Sequence, residues 1–264
     1  MLLRVAHFAR VMRAKVVANN GLPVSSRVWK EWRFEWIGEM DSMGVQAVWI
    51  SLWTGEWVGG DGEGMTIFES RERLVWGELD LPLFGLGRDW HGEGLGVPAS
   101  FSLAMDGERL WFVAGHGRPA VLHPQGRPGR FQAELWRYDV AELFLGDPVS
   151  GRYFEFNLAP NGAWWCCEFT GPRVRAEEVE IEMPGVATFS DLAADGSWMA
   201  AMSVPLEFLR ARLSFGAGSV ANVTFILGTP EQRFVTAGDL GGGEPNFHQP
   251  GRFPQVRVVP LPVG

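Results

Sequence analysis

The chain has 264 residues, a formal net charge of −8 and 13 Trp and 18 Phe beside only 2 Tyr. That length fits one large β domain or two small ones, and the acidic balance gives nucleic acid no electrostatic footprint. No apolar run reaches the roughly 20 residues of a membrane span, and 34 Gly with 17 Pro suit a turn-rich all-β chain.

Met1 to Arg13 is too interrupted by arginine for a secretory apolar region. Residues 1–30 therefore read as an N-terminal extension, either an amphipathic helix or a first strand. With no signal peptide evident, the balance tips slightly to a cytoplasmic chain. Val45–Trp53 reads as a strand, followed by the glycine-rich loop Gly59–Gly64. Ile67–Trp76 and Leu79–Phe84 read as strands. Ser100–Met105 and Arg109–Ala114 form a predicted hairpin around Asp106-Gly107. Gly115–Arg130 is a long polar loop, and long loops in compact domains are commonly functional.

Asp139–Leu145 is apolar and strand-like, and Gly146–Gly151 is a turn cluster. Tyr153–Leu158 then alternates strictly. Period-2 geometry sets Phe154, Phe156 and Leu158 on a core face and Tyr153, Glu155 and Asn157 on the other. That second face, polar and aromatic, suits a hydroxyl-rich ligand. Pro160-Asn161-Gly162 is a tight turn, and Ala163–Phe169 is the returning strand of an antiparallel meander. Ser197–Pro205 is a strand, Leu206–Leu213 a short helix, Val220–Gly228 a strand, Gly238–Asn246 a loop and Arg257–Leu261 a last strand. No linker or internal repeat is visible, so residues 1–264 read as a single domain. The two cysteines, Cys166 and Cys167, are neighbours on a strand and point to opposite faces, which opposes a bridge between them and leans to a reducing compartment.

Three blocks carry a resemblance. Trp136, Asp139, Glu142 and Phe144 follow W-x-x-D-x-x-E-x-F. Tyr153, Glu155, Phe156, Pro160, Asn161, Gly162 and Trp164 follow Y-x-E-F-x-x-x-P-N-G-x-W. Phe247, His248, Pro250 and Phe253 follow F-H-x-P-x-x-F. In this order they resemble the family 9 carbohydrate-binding modules and their DOMON-like relatives, over residues 95–260. The resemblance implies an antiparallel β-sandwich, jelly-roll-like, with a sugar bound on one sheet between two tryptophans and held by a carboxylate and amides. It also implies room for a structural calcium, whose oxygen ligands Asp, Glu and Gly-rich loops can supply; no other cofactor is called for. The partner is then a carbohydrate, with no nucleic acid and no membrane span, and the oligomeric state is left open.

The residues singled out for ligand contact are Trp136, Glu142, Tyr153, Glu155, Asn157, Asn161, Trp164, Phe234 and His248. Each has a structural alternative. Trp136 stacks on a sugar ring or fills the core. Glu142 and Glu155 accept sugar hydroxyls, or pair with Arg137 or Arg152. Asp139 faces away from Glu142 and suits a loop-bracing bond. Asn161 serves its turn or the ligand, and of Trp164 and Trp165 at least one is core. His248 packs or contacts ligand. The five histidines show no zinc spacing. One departure from the family matters: Arg233–Leu240 has no tryptophan, so the second aromatic wall is Phe234 or absent.

Other functions keep a place. Glu142 and Glu155 on neighbouring strands could act as a glycoside hydrolase pair. A haem-binding relative would need a Met or His ligand, for which Met65, Met105 and His116 form no pattern. A sandwich serving protein interaction alone is the third alternative. No G-x-S-x-G, phosphate loop or dinucleotide fingerprint is present.

Overall fold

The structure, a computed structural model, describes residues 64–177 and 182–262 with their side chains, and within 33–52 the backbone of four short strands. Those four are β1 (Arg33–Ile37), β2 (Met40–Asp41), β3 (Gly44–Val45) and β4 (Val48–Leu52). They pair as two ladders, β1 with β4 and β2 with β3. The predicted strand Val45–Trp53 corresponds to β3 and β4, whereas the expectations for residues 1–30 lie outside the described residues.

The rest is a two-sheet β-sandwich. The front sheet runs β12-β11-β10-β9-β15-β16. It is built from β9 (Val140–Gly146), β10 (Tyr153–Leu158), β11 (Trp164–Gly171), β12 (Val174–Arg175), β15 (Val220–Leu227) and β16 (Arg233–Thr236). The back sheet runs β13-β14-β8-β7-β5-β17, with β6 also paired to β7. Its strands are β5 (Met65–Glu69), β6 (Phe84–Arg88), β7 (Gly94–Met105), β8 (Arg109–His116), β13 (Ala187–Leu192), β14 (Trp198–Pro205) and β17 (Val256–Pro260). A single helix among the described residues, α1 (Leu206–Leu213), follows β14 and buries Leu206, Leu209 and Leu213. It coincides with the predicted helix.

Alternation decides which side chains meet between the sheets. From β9, Ala141, Leu143 and Leu145 point inward, and from β10, Phe154, Phe156 and Leu158. They meet Phe101, Leu103, Leu110, Phe112, Ala200 and Met202 of the back sheet. Each large apolar side chain so buried contributes about 1.5–3 kcal/mol.

Two expectations need correction. The back sheet is mixed rather than antiparallel, because β5 pairs in parallel with both β7 and β17. Of the predicted strands Ile67–Trp76 and Leu79–Phe84, residues 70–76 and 79–83 form no strand; Leu74, Leu79 and Leu81 instead cover Trp111 and Val113 on the outside of the back sheet. The predicted hairpin around Asp106-Gly107 forms as β7 and β8, with Gly107 outside the positive-φ region. Asp106 holds it, its Oδ1 accepting the Glu108 and Arg109 amides at 2.8 Å each and its Oδ2 the Leu74 amide at 2.9 Å. Apolar composition marked 70–76 and 79–83 as strand, but a sheet face can be covered by chain that has no ladder of its own.

Candidate functional site

The outer face of the front sheet carries the polar residues. Four strands align Thr224, Glu142, Asn157 and Trp165 in one cross-strand row, and Asn222, Phe144, Glu155 and Cys167 in the next. Glu142 and Glu155 are therefore diagonal neighbours on adjacent strands, a relation that separates Cβ atoms by roughly 5–8 Å. The alternation that sends Phe154 and Phe156 inward puts both carboxylates on this face.

Glu142, Glu155 and Asn157 are nevertheless buried. The segment 238–253 folds over the face and adds Leu240, Phe247 and Phe253 to a second apolar cluster with Phe144, Tyr153, Trp165 and Phe169. Asn222 anchors the start of that segment, accepting the Gly238 amide at 2.8 Å and donating to Thr236 Oγ1 at 2.9 Å. Further along, Trp90 donates its indole N–H to the Gly243 carbonyl at 2.8 Å, and Gln249 donates to the Leu240 and Asn246 carbonyls. The polar row thus lies under an aromatic roof.

Burial sets the electrostatics. Charging a carboxyl away from water is costly, and burial raises Glu142 to about 7 although Thr224 Oγ1 donates to its Oε2 at 2.8 Å. Burial and then the neighbouring Glu142 raise Glu155 to about 8. His248 faces Glu155, with Nε2 at 3.6 Å from Oε2. Burial, reinforced by Arg173, lowers that imidazole to about 4 and keeps it neutral. Its Nδ1 lies 2.8 Å from the Tyr153 hydroxyl, which also accepts the Arg173 amide at 3.1 Å. With the phenol donating to Nδ1, the histidine proton sits on Nε2, directed at Glu155. Burial pushes the Tyr153 phenol itself up to about 12, so it stays protonated.

Three buried polar atoms on this face make no hydrogen bond of good geometry: both amide atoms of Asn157, whose side chain still favours the charged form of Glu155, and the indole nitrogen of Trp165. The two residues are directly opposed across β10 and β11. A buried donor or acceptor left unpaired costs about 1–3 kcal/mol, so neighbouring residues with unsatisfied capacity on one face mark a place held ready for a ligand's polar groups.

The structure brings Glu142, Tyr153, Glu155, Asn157 and His248 together. Phe234 sits at the margin of the cluster, its ring 5.9 Å from that of Phe247. Trp136 is not core: it lies on the 3-10 turn Leu135–Arg137, 49% exposed, with the Arg137 guanidinium over its ring. Trp164 is a correction. Strand alternation turns it into the inter-sheet core, edge-on to Phe131, and its neighbour Trp165 takes the outer face. Asn161 serves its turn and the long loop, with Oδ1 accepting the Ala163 amide and Nδ2 donating to the Gly126 carbonyl. Gly162 completes that turn at φ 79°, a conformation that favours glycine. Asp139 accepts the Thr229 amide and braces the loop after β15. Neither arginine considered as a partner reaches the buried pair: Arg137 bridges to Glu134, and Arg152 joins Arg212 on Glu168.

Sequence reasoning passed over Thr224, Asn222, Trp165 and Trp90. The first two were visible in principle, since Asn222-Val-Thr224-Phe alternates polar and apolar as Tyr153–Leu158 does. Trp90 reaches the site only through tertiary packing. Bearing on the calcium that the resemblance implied, no three His, Cys, Asp or Glu side chains converge among the described residues. No helix among them is long and apolar enough to cross a membrane.

No family model matches the chain, and no curated protein matches it. Solved structures do match its fold. One is a Bacteroides uniformis protein to which carbohydrate binding is ascribed, at 16% identity and TM-score 0.57, covering 75% of this chain and 100% of that one. Another is a family 9 carbohydrate-binding module from Caldicellulosiruptor kristjanssonii in complex with glucose, at 12% identity and TM-score 0.50, covering 76% of this chain and 97% of the module. The sandwich therefore shares its fold with these two structures.

Proposed function

We propose that the chain binds a carbohydrate, without catalysis, on the outer face of the front sheet. The observation that carries this reading is the buried polar row of Glu142, Asn157 and Glu155, in which the Asn157 amide makes no hydrogen bond of good geometry and only a loose contact with Glu155. An amide that can donate and accept, an indole N–H on Trp165 and two carboxyls match the paired donor and acceptor character of sugar hydroxyls. Trp136, half exposed ahead of β9, is suited to stack on a pyranose ring. The likeness in fold to a module that holds glucose supports the same reading.

The hydrolase alternative is less well supported. Glycoside hydrolysis needs one carboxyl protonated and the other ionised. Burial raises both Glu142 and Glu155 in the same direction, so the electrostatics do not by themselves separate an acid from a base, and the likeness in fold to a binding module favours the binding reading.

The test is titration calorimetry with glucose, xylose and their β-linked oligomers on the wild type, Asn157→Ala and Trp136→Ala. The wild type is expected to bind at least one of these sugars. Asn157→Ala should weaken binding on the order of tenfold or more, the worth of one or two hydrogen bonds. Trp136→Ala should weaken it while the thermal melt stays unchanged. Release of reducing ends from an oligomer would instead favour the hydrolase, and failure of every sugar to bind would sink the proposal.

A further inference from the structure

Two arginines of the β11–β12 hairpin line the rim of the polar face. The ladder pairs Phe169 with Arg175 and Gly171 with Val174. Phe169 belongs to the outer aromatic cluster with Tyr153 and Trp165, so Arg175 stands beside it on the same face. Its guanidinium lies over the Trp165 ring, 5.6 Å from the centroid. Trp165 in turn opposes Asn157 across β10 and β11. Arg173 occupies the turn itself. Its amide donates to the Tyr153 hydroxyl at 3.1 Å, and its guanidinium donates to Asn246 Oδ1 of the roof, also at 3.1 Å. Both guanidiniums favour the charged form of Glu155, and Arg173 acts on His248 as well. Both residues are exposed, so their positive charge sits where the buried row meets solvent.

The second observation is the backbone of that turn. Pro172 and Arg173 are its central residues, and Arg173 has φ 60°. Proline first and a left-handed residue second is the type II arrangement, whose second place goes to Gly or Asn. An arginine there carries a backbone cost, and strain of this kind gathers at ligand clamps. The buried acids do not oppose an anion at this rim. Near pH 6 burial holds Glu142 and Glu155 in the neutral form, able to hydrogen-bond without repelling negative charge. His248 and Tyr153 are neutral there too.

Resting on the carbohydrate reading above, we infer that the preferred ligand is an acidic sugar, a uronic acid or a chain containing one, whose carboxylate is held by Arg175 and Arg173 while its hydroxyls meet Trp165, Asn157 and the two buried carboxyls. A guanidinium carries five N–H donors in a planar fork that matches a carboxylate. Either arginine thus keeps its present contacts and still takes the ligand. The same hairpin that sets the rim charge is tied to the site through Tyr153, so the carboxylate and the hydroxyls are read by one connected surface.

The experiment is titration calorimetry near pH 6 with glucuronate and galacturonate, their methyl esters, and glucose and galactose. The esters keep the ring and remove the charge. At least one acid is expected to bind on the order of tenfold or more tighter than both its ester and its neutral parent. Arg175→Gln should bring that acid down to the level of its ester in the same variant, with a cooperative melt. Arg173→Gly is the second variant. Glycine suits the left-handed place and keeps the amide that bonds Tyr153, so the fold survives while the preference for the acid shrinks. Acids and esters bound alike by the wild type would overturn the inference and leave the carbohydrate reading standing. A preference for the acid that persists in both variants would overturn it as well. Binding of none of the six would remove both readings.

Discussion

Replacing Glu155 by glutamine should have little effect on stability at acidic pH and become stabilising as pH rises. Below about pH 5 the wild-type carboxyl is neutral in the fold, and an amide of the same shape takes its place, so the two proteins should unfold within about 1 kcal/mol of each other. The raised carboxyl holds its proton in the native state up to about pH 8, whereas the unfolded chain releases it near the ordinary glutamate value. Stability from this group is thus fully present below the unfolded value and is lost as pH climbs through the folded one. Glu142, raised to about 7, acts in the same direction. His248, lowered to about 4, opposes them below about pH 6.5, because there the unfolded chain binds the extra proton. Two carboxyls outweigh one imidazole, so the wild type should lose stability from about pH 5 to about pH 8. Both carboxyls of the coupled pair act in this direction, so the pair costs the fold stability at alkaline pH. Glu155→Gln removes that cost and also the repulsion on Glu142. It should therefore be more stable than wild type at pH 9 by about 2–4 kcal/mol, or roughly 4–16 °C in Tm for a domain of this size. Urea unfolding at pH 5, 7 and 9 measures it. A difference between the two proteins that is the same at all three pH values would refute the reasoning.

Trp164→Ala should cost about 3–5 kcal/mol because it empties a core position, whereas Trp136→Ala should cost under about 0.5 kcal/mol; parallel denaturant curves separate the two, and equal losses would contradict the placement. Glu168→Gln removes the shared partner of Arg152 and Arg212 and should destabilise by about 1–3 kcal/mol, towards the low end because both arginines are partly exposed. Gly196→Ala should destabilise by at least about 2 kcal/mol in thermal melts, since its φ is +85° and a Cβ there would sit 2.5 Å from Pro119 Cγ. A thiol reagent should modify Cys167 in the native protein and both cysteines only after unfolding, because Cys166 is buried in the core and its thiol is pushed up to about 12; mass spectrometry of the labelled peptides reads the outcome, and a bridge between the two would overturn it.

Much of the front sheet was legible because its strands alternate without interruption. Tyr153–Leu158 was bounded to the residue, and the outward set Tyr153, Glu155 and Asn157 follows from period-2 geometry alone. The helix Leu206–Leu213 was legible for a similar reason, with leucines on one face. The back sheet was harder. Residues 70–83 carry apolar side chains at strand-like density, yet they cover a sheet rather than extend one. The pairing of β17 with β5 joins segments whose sequences hold no information about each other. At the site, alternation separated Trp164 from Trp165 but could not say which faced inward, since that depends on the register with β10. Nor could it show that the segment 238–253 would roof the carboxylates and turn a solvated face into a buried one.

The parallel pairing at the edge of the back sheet has a consequence for how the protein is made. β5 meets β7 only at Phe68 and Glu69, but it runs beside β17 along its whole length. The first strand of the sandwich is thus secured chiefly by the last. During synthesis the ribosome exposes β5 long before β17 emerges, and such distant pairing slows folding. The nascent chain carries Ile67 and Phe68 unsheltered on a bare strand edge throughout that interval, which invites mispairing with other chains. Truncation just before Val256 would leave the same edge open permanently, and its penalty should be read in yield and solubility before it is read in binding.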